Sequence, residues 1–256
     1  MVKKGVQVGL YLSGQPVPVP ECNIYIAQPK IKDIVLFGED EFLIGSNLLG
    51  HTDRIVNKVR EGNPLLESLD DFQLLMMMLK EEPTVRDTII NFLEFICPDY
   101  EIKVEENIIS FAIIVNDKKQ NVGQLFPFNF HAFQDVLNDI FDMKAPNNDE
   151  PDYNPVNEAA AAIAKKIQQG RDRKNRLKEN KEGPQSIFGR YISILSIGLA
   201  IDMNILFNYT IFQLCDSFNR YFLKVSSDLY TKVSTTPLMD VSKMKEPDDW
   251  TGNIYK

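Results

Sequence analysis

The side chains able to do chemistry are few and scattered. His51 and His131 lie far apart, with no cysteine or carboxylate cluster at ligand spacing, which argues against a zinc site. Cys22, Cys97 and Cys215 are odd in number and widely spaced. They read as reduced structural thiols rather than a disulfide framework. Gly45 and Gly50 lack the following Lys-Ser/Thr and the strand-loop-helix frame of a phosphate loop. No Gly-x-Ser-x-Gly elbow is present. Asp70-Asp71 and Asp248-Asp249 are paired in sequence, but helical neighbours point about 100° apart. They read as helix-dipole partners and solvated loop charge. Glu39, Asp40 and Glu41 are consecutive, where a calcium loop needs alternation. The sequence thus predicts no catalytic residue, no cofactor and no metal, so no enzyme. A site assembled from distant residues is the third-ranked reading.

Charge is the strongest local signal. Residues 165–181 hold 8 basic and 2 acidic side chains, a balance of +6 in a chain of net charge −8, so the remainder is −14. The segment follows an alanine block, 159–162, and both suit a helix with little to bury. Asn154 suits its N-cap, Pro155 its first position and Glu158 its positive end. The candidate partner-binding residues are Lys165, Lys166, Arg171, Arg173, Lys174 and Arg176. They would dock on an acidic surface, either a partner's or the chain's own. The bland alternative is a solvated helix face. Nucleic acid ranks last, because a phosphate backbone sees the summed, acidic field.

The elements that must position these residues follow from pattern. At 256 residues, 44% apolar and 25% charged, the chain can hold one large or two modest domains with a real core. No secretory leader is expected at Met1. The most apolar stretch, 191–206, is broken by Asp202 and Asn204 and is too short for a membrane span.

Val6, Val8 and Leu10 alternate, and with a second strand over 23–26 they predict an edge hairpin limited by prolines. A helix opened by Gln28-Pro29, with Ile31, Ile34 and Val35 on its apolar face, is expected to end at Gly38, and another is expected over 39–49. A charged helix or loop is expected over 51–62. A helix over 69–80 has Ser68 as its cap and Phe72, Leu75, Met76 and Leu79 as core. Another, after Pro83, buries Val85, Ile89, Phe92, Leu93 and Ile96. Residues 100–104, 108–115 and 122–126 then predict a three-stranded meander with 108–115 central. Its Ile114 is expected in the core, and residues 116–121 are expected to be turn. Asn129 caps a helix with Phe130, Phe133, Val136, Leu137, Ile140 and Phe141 on one face.

The whole is an α+β fold. An α+β domain over 1–145 is followed by an acidic, proline-rich linker over 146–155. A helical region over 156–256 holds the basic helix and a helical hairpin. In that hairpin Ser186 caps the first helix. The second bears Ile211, Leu214, Cys215, Phe218, Tyr221, Phe222, Val225 and Leu229 on one face. Trp250 and Tyr255 are expected to anchor the tail.

A resemblance adds a function. Within residues 23–42, Ile26-x-Gln28-Pro29-x-Ile31-x-Asp33-Ile34 is followed by Gly38-Glu39. The run Asp71-Phe72-Gln73-Leu74-Leu75-Met76-Met77, the basic segment, two C-terminal helices and Trp250 come after it in that order. This order resembles tail-module proteins of tailed phages of Gram-positive bacteria, encoded near the tape-measure protein. The resemblance implies a tail assembly chaperone that binds tape-measure or other tail proteins in the host cytoplasm, with no catalytic residues. The alternative it leaves is a structural virion protein of the tail or baseplate.

Overall fold

The computed structural model describes residues 4–60, 66–141, 186–236 and 246–252. The described elements are α1 (Lys4–Ser13), β1 (Val17–Val19), β2 (Ile24–Ile26), α2 (Ile31–Phe37), α3 (Glu39–Gly50), α4 (Thr52–Arg60), α5 (Asp71–Glu81) and α6 (Pro83–Ile96). After them come β3 (Glu101–Val104), β4 (Ile109–Val115), β5 (Lys118–Leu125) and α7 (Pro127–Phe141). The C-terminal elements are α8 (Ile187–Leu199), α9 (Met203–Leu206) and α10 (Ile211–Ser234). The fold is α+β: a hairpin, helices and a three-stranded antiparallel sheet, then an all-α C-terminal region. The proline-rich segment 146–155 and the basic residues Lys165, Lys166, Arg171, Arg173, Lys174 and Arg176 lie outside the described residues.

The chain forms two compact units. One holds the described residues through α7 together with Asn204–Asp216; the other holds 186–203, 217–236 and 246–252. The inclusion of Asn204–Asp216 has a local cause. The first N–H groups of a helix have no partner inside it. In α2 the Ile31 N–H donates to the Tyr209 carbonyl at 2.9 Å and the Lys32 N–H to the Phe207 carbonyl at 3.0 Å. Thr210 and Gln213 then form a reciprocal cap that starts α10, and the Gln213 side-chain amide donates to the Leu12 carbonyl at 2.7 Å.

The core of this first unit is aromatic. Phe42 of α3 lies edge-on to Phe92 and Phe141 at 5.3 Å each, and Phe95 stacks on Phe37 at 4.4 Å. Phe72 of α5 meets Phe130 of α7 at 5.0 Å. Phe42, Phe72, Phe92, Phe130 and Phe133 are all fully buried. Helix α3 approaches α6 closely because Gly45 faces Phe92; a Cβ there would sit 2.5 Å from the ring's Cγ. The end of α3 is held by α7. Gln134 Nε2 donates to the Leu49 carbonyl and Asn138 Nδ2 to the Gly50 carbonyl, both at 2.8 Å. Last-turn carbonyls of a helix lack partners within it, and here Thr52 Oγ1 also donates to the Leu49 carbonyl at 3.0 Å.

Several expectations are corrected. Val6, Val8 and Leu10 lie in helix α1, not in a strand. The hairpin is β1 with β2, Val17 opposite Ile26. The helix turns Tyr11 inward, onto Phe212 at 5.2 Å, with its hydroxyl donating to Asp139 at 3.1 Å. The cap of α5 is Asp70, in a reciprocal pair with Gln73, rather than Ser68. The turn after β4 is only Asn116-Asp117, both with positive φ (51° and 59°), and Lys118 already pairs with Val115. A two-residue turn of this kind suits the twist of a hairpin. β4 is central, as its β-branched run predicts, but only its first half is core. Ile109 and Phe111 are fully buried, while Ile114 is 67% exposed. Asn129 does not cap α7 from outside; it sits within the first turn of that helix.

In the second unit α8 is capped as expected, with Ser186 Oγ accepting from the Gly189 N–H at 2.8 Å. It buries Phe188, Ile192 and Leu195, and ends in left-handed Ala200. Tyr191 meets Phe218 of α10 at 4.3 Å, and the Tyr221 ring lies against Gly198. Arg220 donates to the Trp250 carbonyl at 2.9 Å, so the Trp250 segment is fixed through its backbone.

Candidate functional site

Most residues that could do chemistry have a structural task. His51 closes α3, its N–H donating to the Asn47 carbonyl at 3.0 Å, and His131 is on the exposed side of α7. Glu39, Asp40 and Glu41 occupy the first turn of α3, where negative charge suits the helix dipole. Asp71 pairs with Arg60 at 2.7 Å. Asp249 accepts from the Thr251 N–H and hydroxyl, which holds its carboxyl below the usual range. Among the described residues no group of three or more His, Cys, Asp or Glu side chains is placed to hold a metal ion. No helix among them is long and apolar enough to cross a membrane.

None of the three thiols is in a disulfide. Cys22 and Cys97 are buried, and Cys215 is half-buried. Burial, with Glu21 nearby, pushes the Cys22 thiol up to about 12, and burial raises Cys97 as well. A thiol in that state is protonated and unreactive at neutral pH. Several buried polar groups are likewise committed to the fold. Asn129 is the clearest case, and sequence reading assigned it only a cap. Its Oδ1 accepts from the Phe126 N–H at 2.9 Å, and its Nδ2 donates to the Gln124 and Glu21 carbonyls at 2.8 and 3.1 Å. One amide therefore joins α7, β5 and the β1–β2 turn. Beside it Gly123 lets β5 approach that turn; a Cβ would lie 2.6 Å from the Cys22 carbonyl oxygen.

Clefts are small and mixed in character. One of about 280 Å³ is floored by Met76, Leu79 and Val104 and rimmed by Lys80, Arg86, Glu105 and Glu106. Two charges of each sign select no class of ion.

The distinctive surface is apolar and belongs to the second unit. On α10 the residues Phe218, Phe222, Val225 and Leu229 recur at intervals of 4, 3 and 4, one stripe of a helix. Tyr191 covers Phe218, but Phe222, Val225 and Leu229 remain 51%, 45% and 57% exposed. Ile187, Ile194 and Ile197 of α8 are also exposed, Ile197 by 80%. Single exposed apolar residues need no explanation, whereas a periodic run of them marks a contact surface. The periodicity of α10 is visible in sequence; its exposure is not. Compared with known proteins, the chain matches no family model, no curated protein and no solved structure.

Proposed function

We propose that this chain is a non-catalytic assembly factor that holds other proteins: a phage tail assembly chaperone binding tape-measure or other tail proteins. The observation that supports it best is the half-exposed stripe Phe222, Val225 and Leu229 on α10. Such a stripe takes the apolar face of a partner's helix, through anchors spaced by three and four residues. The assignment to tails rests on the resemblance of residues 23–42 and 71–77. The basic residues Lys165, Lys166, Arg171, Arg173, Lys174 and Arg176 would add steering toward an acidic partner, raising association rate more than affinity.

The test is a pull-down with the tagged chain from infected cells, alongside mass spectrometry of purified virions. A chaperone captures a tail protein and is absent from virions. Presence in virions at fixed copy number would make it a structural tail or baseplate protein instead. Phe222→Ser combined with Leu229→Ser should abolish capture while leaving the circular dichroism spectrum unchanged. Undiminished capture by that variant rejects the stripe as the binding surface.

A further inference from the structure

Glycine is a poor helix former, so Gly198 in the last turn of α8 calls for a reason. The residue against it is Tyr221 of α10. A Cβ at Gly198 would lie 2.7 Å from Tyr221 Cε2 and closer still to Cζ and Oη. The outer end of the ring thus occupies the space that a side chain there would need. Nearby, Tyr191 of α8 meets Phe218 of α10 at 4.3 Å. α8 therefore lies against α10 at Phe218 and Tyr221, and the open stripe begins at the next residue, Phe222.

Tyr221 stands at this border, and its ring has two places to go. Val225 is four residues on and 45% exposed. An aromatic ring and an aliphatic side chain at that spacing attract each other along a helix. In the other direction Phe218 is already covered by Tyr191. A Tyr221 ring lifted off α8 would therefore fold over Val225, the middle of the stripe. Resting on Gly198, it leaves Val225 open. The difference is a change of rotamer at one residue.

We propose that Gly198 and Tyr221 are a positioning pair that keeps the α10 stripe open: the glycine gives the ring a place on α8 and so holds it away from Val225. The position of the ring stands on packing alone, whereas its consequence for partner capture rests on the role proposed for the stripe. A methyl group at position 198 displaces the ring. The displaced atoms are the far end of a rotatable side chain, so the helices stay folded while the stripe closes.

Thiol labelling reads the position of the ring with no partner present. In a Cys215→Ser background Val225→Cys supplies an accessible thiol, and the remaining cysteines, Cys22 and Cys97, are buried. Its alkylation by iodoacetamide should slow severalfold when Gly198→Ala is added, and recover when Tyr221→Ala is added to both. A merely loosened interface would do the opposite, with the rate rising at each step. In chains that keep Val225 and Cys215, capture in the pull-down should follow the same order: lost in Gly198→Ala, regained in Gly198→Ala with Tyr221→Ala. A native chain that captures nothing would reject the role of the stripe, and the labelling rates would still decide where the ring lies. An alkylation rate unchanged or raised by Gly198→Ala, or a slowing that Tyr221→Ala does not relieve, would overturn the proposal. So would loss of the thermal transition in Gly198→Ala, or capture by the native chain that this change leaves undiminished.

Discussion

α6 in the first unit and α10 in the second are built from the same kind of sequence and end differently. Both carry an apolar stripe at helical spacing. In α6, Ile89, Phe92, Leu93 and Ile96 are completely buried, because α3, α5 and β3 all pack against it. In α10, burial stops after Leu214, and Phe222, Val225 and Leu229 stand half in solvent. An amphipathic pattern specifies that a face is available. Whether it becomes core depends on how many other elements arrive to cover it. The first unit is thus organised for stability, and the second presents a surface.

The largest test of that contrast is Phe42→Ala. Phe42 touches Phe92, Phe95 and Phe141 and is fully buried. Its loss should cost about 3–5 kcal/mol, read as a lower midpoint in urea unfolding followed by circular dichroism. Asn129→Ala should come next. It leaves the Phe126 N–H and the Gln124 and Glu21 carbonyls without their partner, at about 1–3 kcal/mol by the same measurement. A change below ~0.5 kcal/mol would mean that the junction is not held by this amide.

Gly45→Ala sharpens the packing argument, because two effects oppose each other. Alanine gains about 1 kcal/mol in helix propensity. The new Cβ meets the Phe92 Cβ and Cγ at 2.6 and 2.5 Å, rigid atoms that cannot swing away, so overpacking of about 1–3 kcal/mol should win. A stabilised variant would show that α3 and α6 can separate freely.

Alkaline pH should weaken the first unit progressively. Cys22 is raised to about 12 by burial and then by Glu21, while Cys97 and Tyr11 are raised as well. Each favours its protonated form in the fold. For Cys22 the stabilisation is complete below the ordinary thiol pKa, near ~8.5, and is lost as pH climbs toward about 12. The melting temperature should therefore fall between pH 8 and pH 10.5, and less steeply in Cys22→Ala relative to its own value at pH 7. The smallest effect on stability is expected at the other end of the comparison. Phe222→Ser should change the unfolding free energy by only about 0.5 kcal/mol, as for an exposed site. A loss several times larger would make the α10 stripe structural.

Much of this fold is legible from local pattern. The stop of α2 at Gly38 and the Ser186 cap of α8 appear where residue type and spacing place them, and α6 includes Pro83 as its first residue where the expected start is just after it. The central position of β4 is legible in the same way. These features depend on neighbours within a few residues, and a few residues of sequence contain the information. The candidate site is legible only in part: the stripe on α10 can be read, its exposure cannot.

The remaining features were decided by parts of the chain distant in sequence. The Val6-Val8-Leu10 alternation fits a strand equally well. It becomes helix α1 in a unit where Tyr11 meets Phe212 and Asp139. Ile114 reads as core in any count of apolar runs, yet β3 begins opposite Ala112, two positions short of it. Asn204–Asp216 reads as part of a C-terminal helical region, yet its carbonyls complete the first turn of α2 and bind that segment into the first unit. Sequence determined the period of most elements, though not of α1. The tertiary structure decided which faces are covered, because burial is set by which partner comes to lie against a face, and periodicity carries no record of the partner.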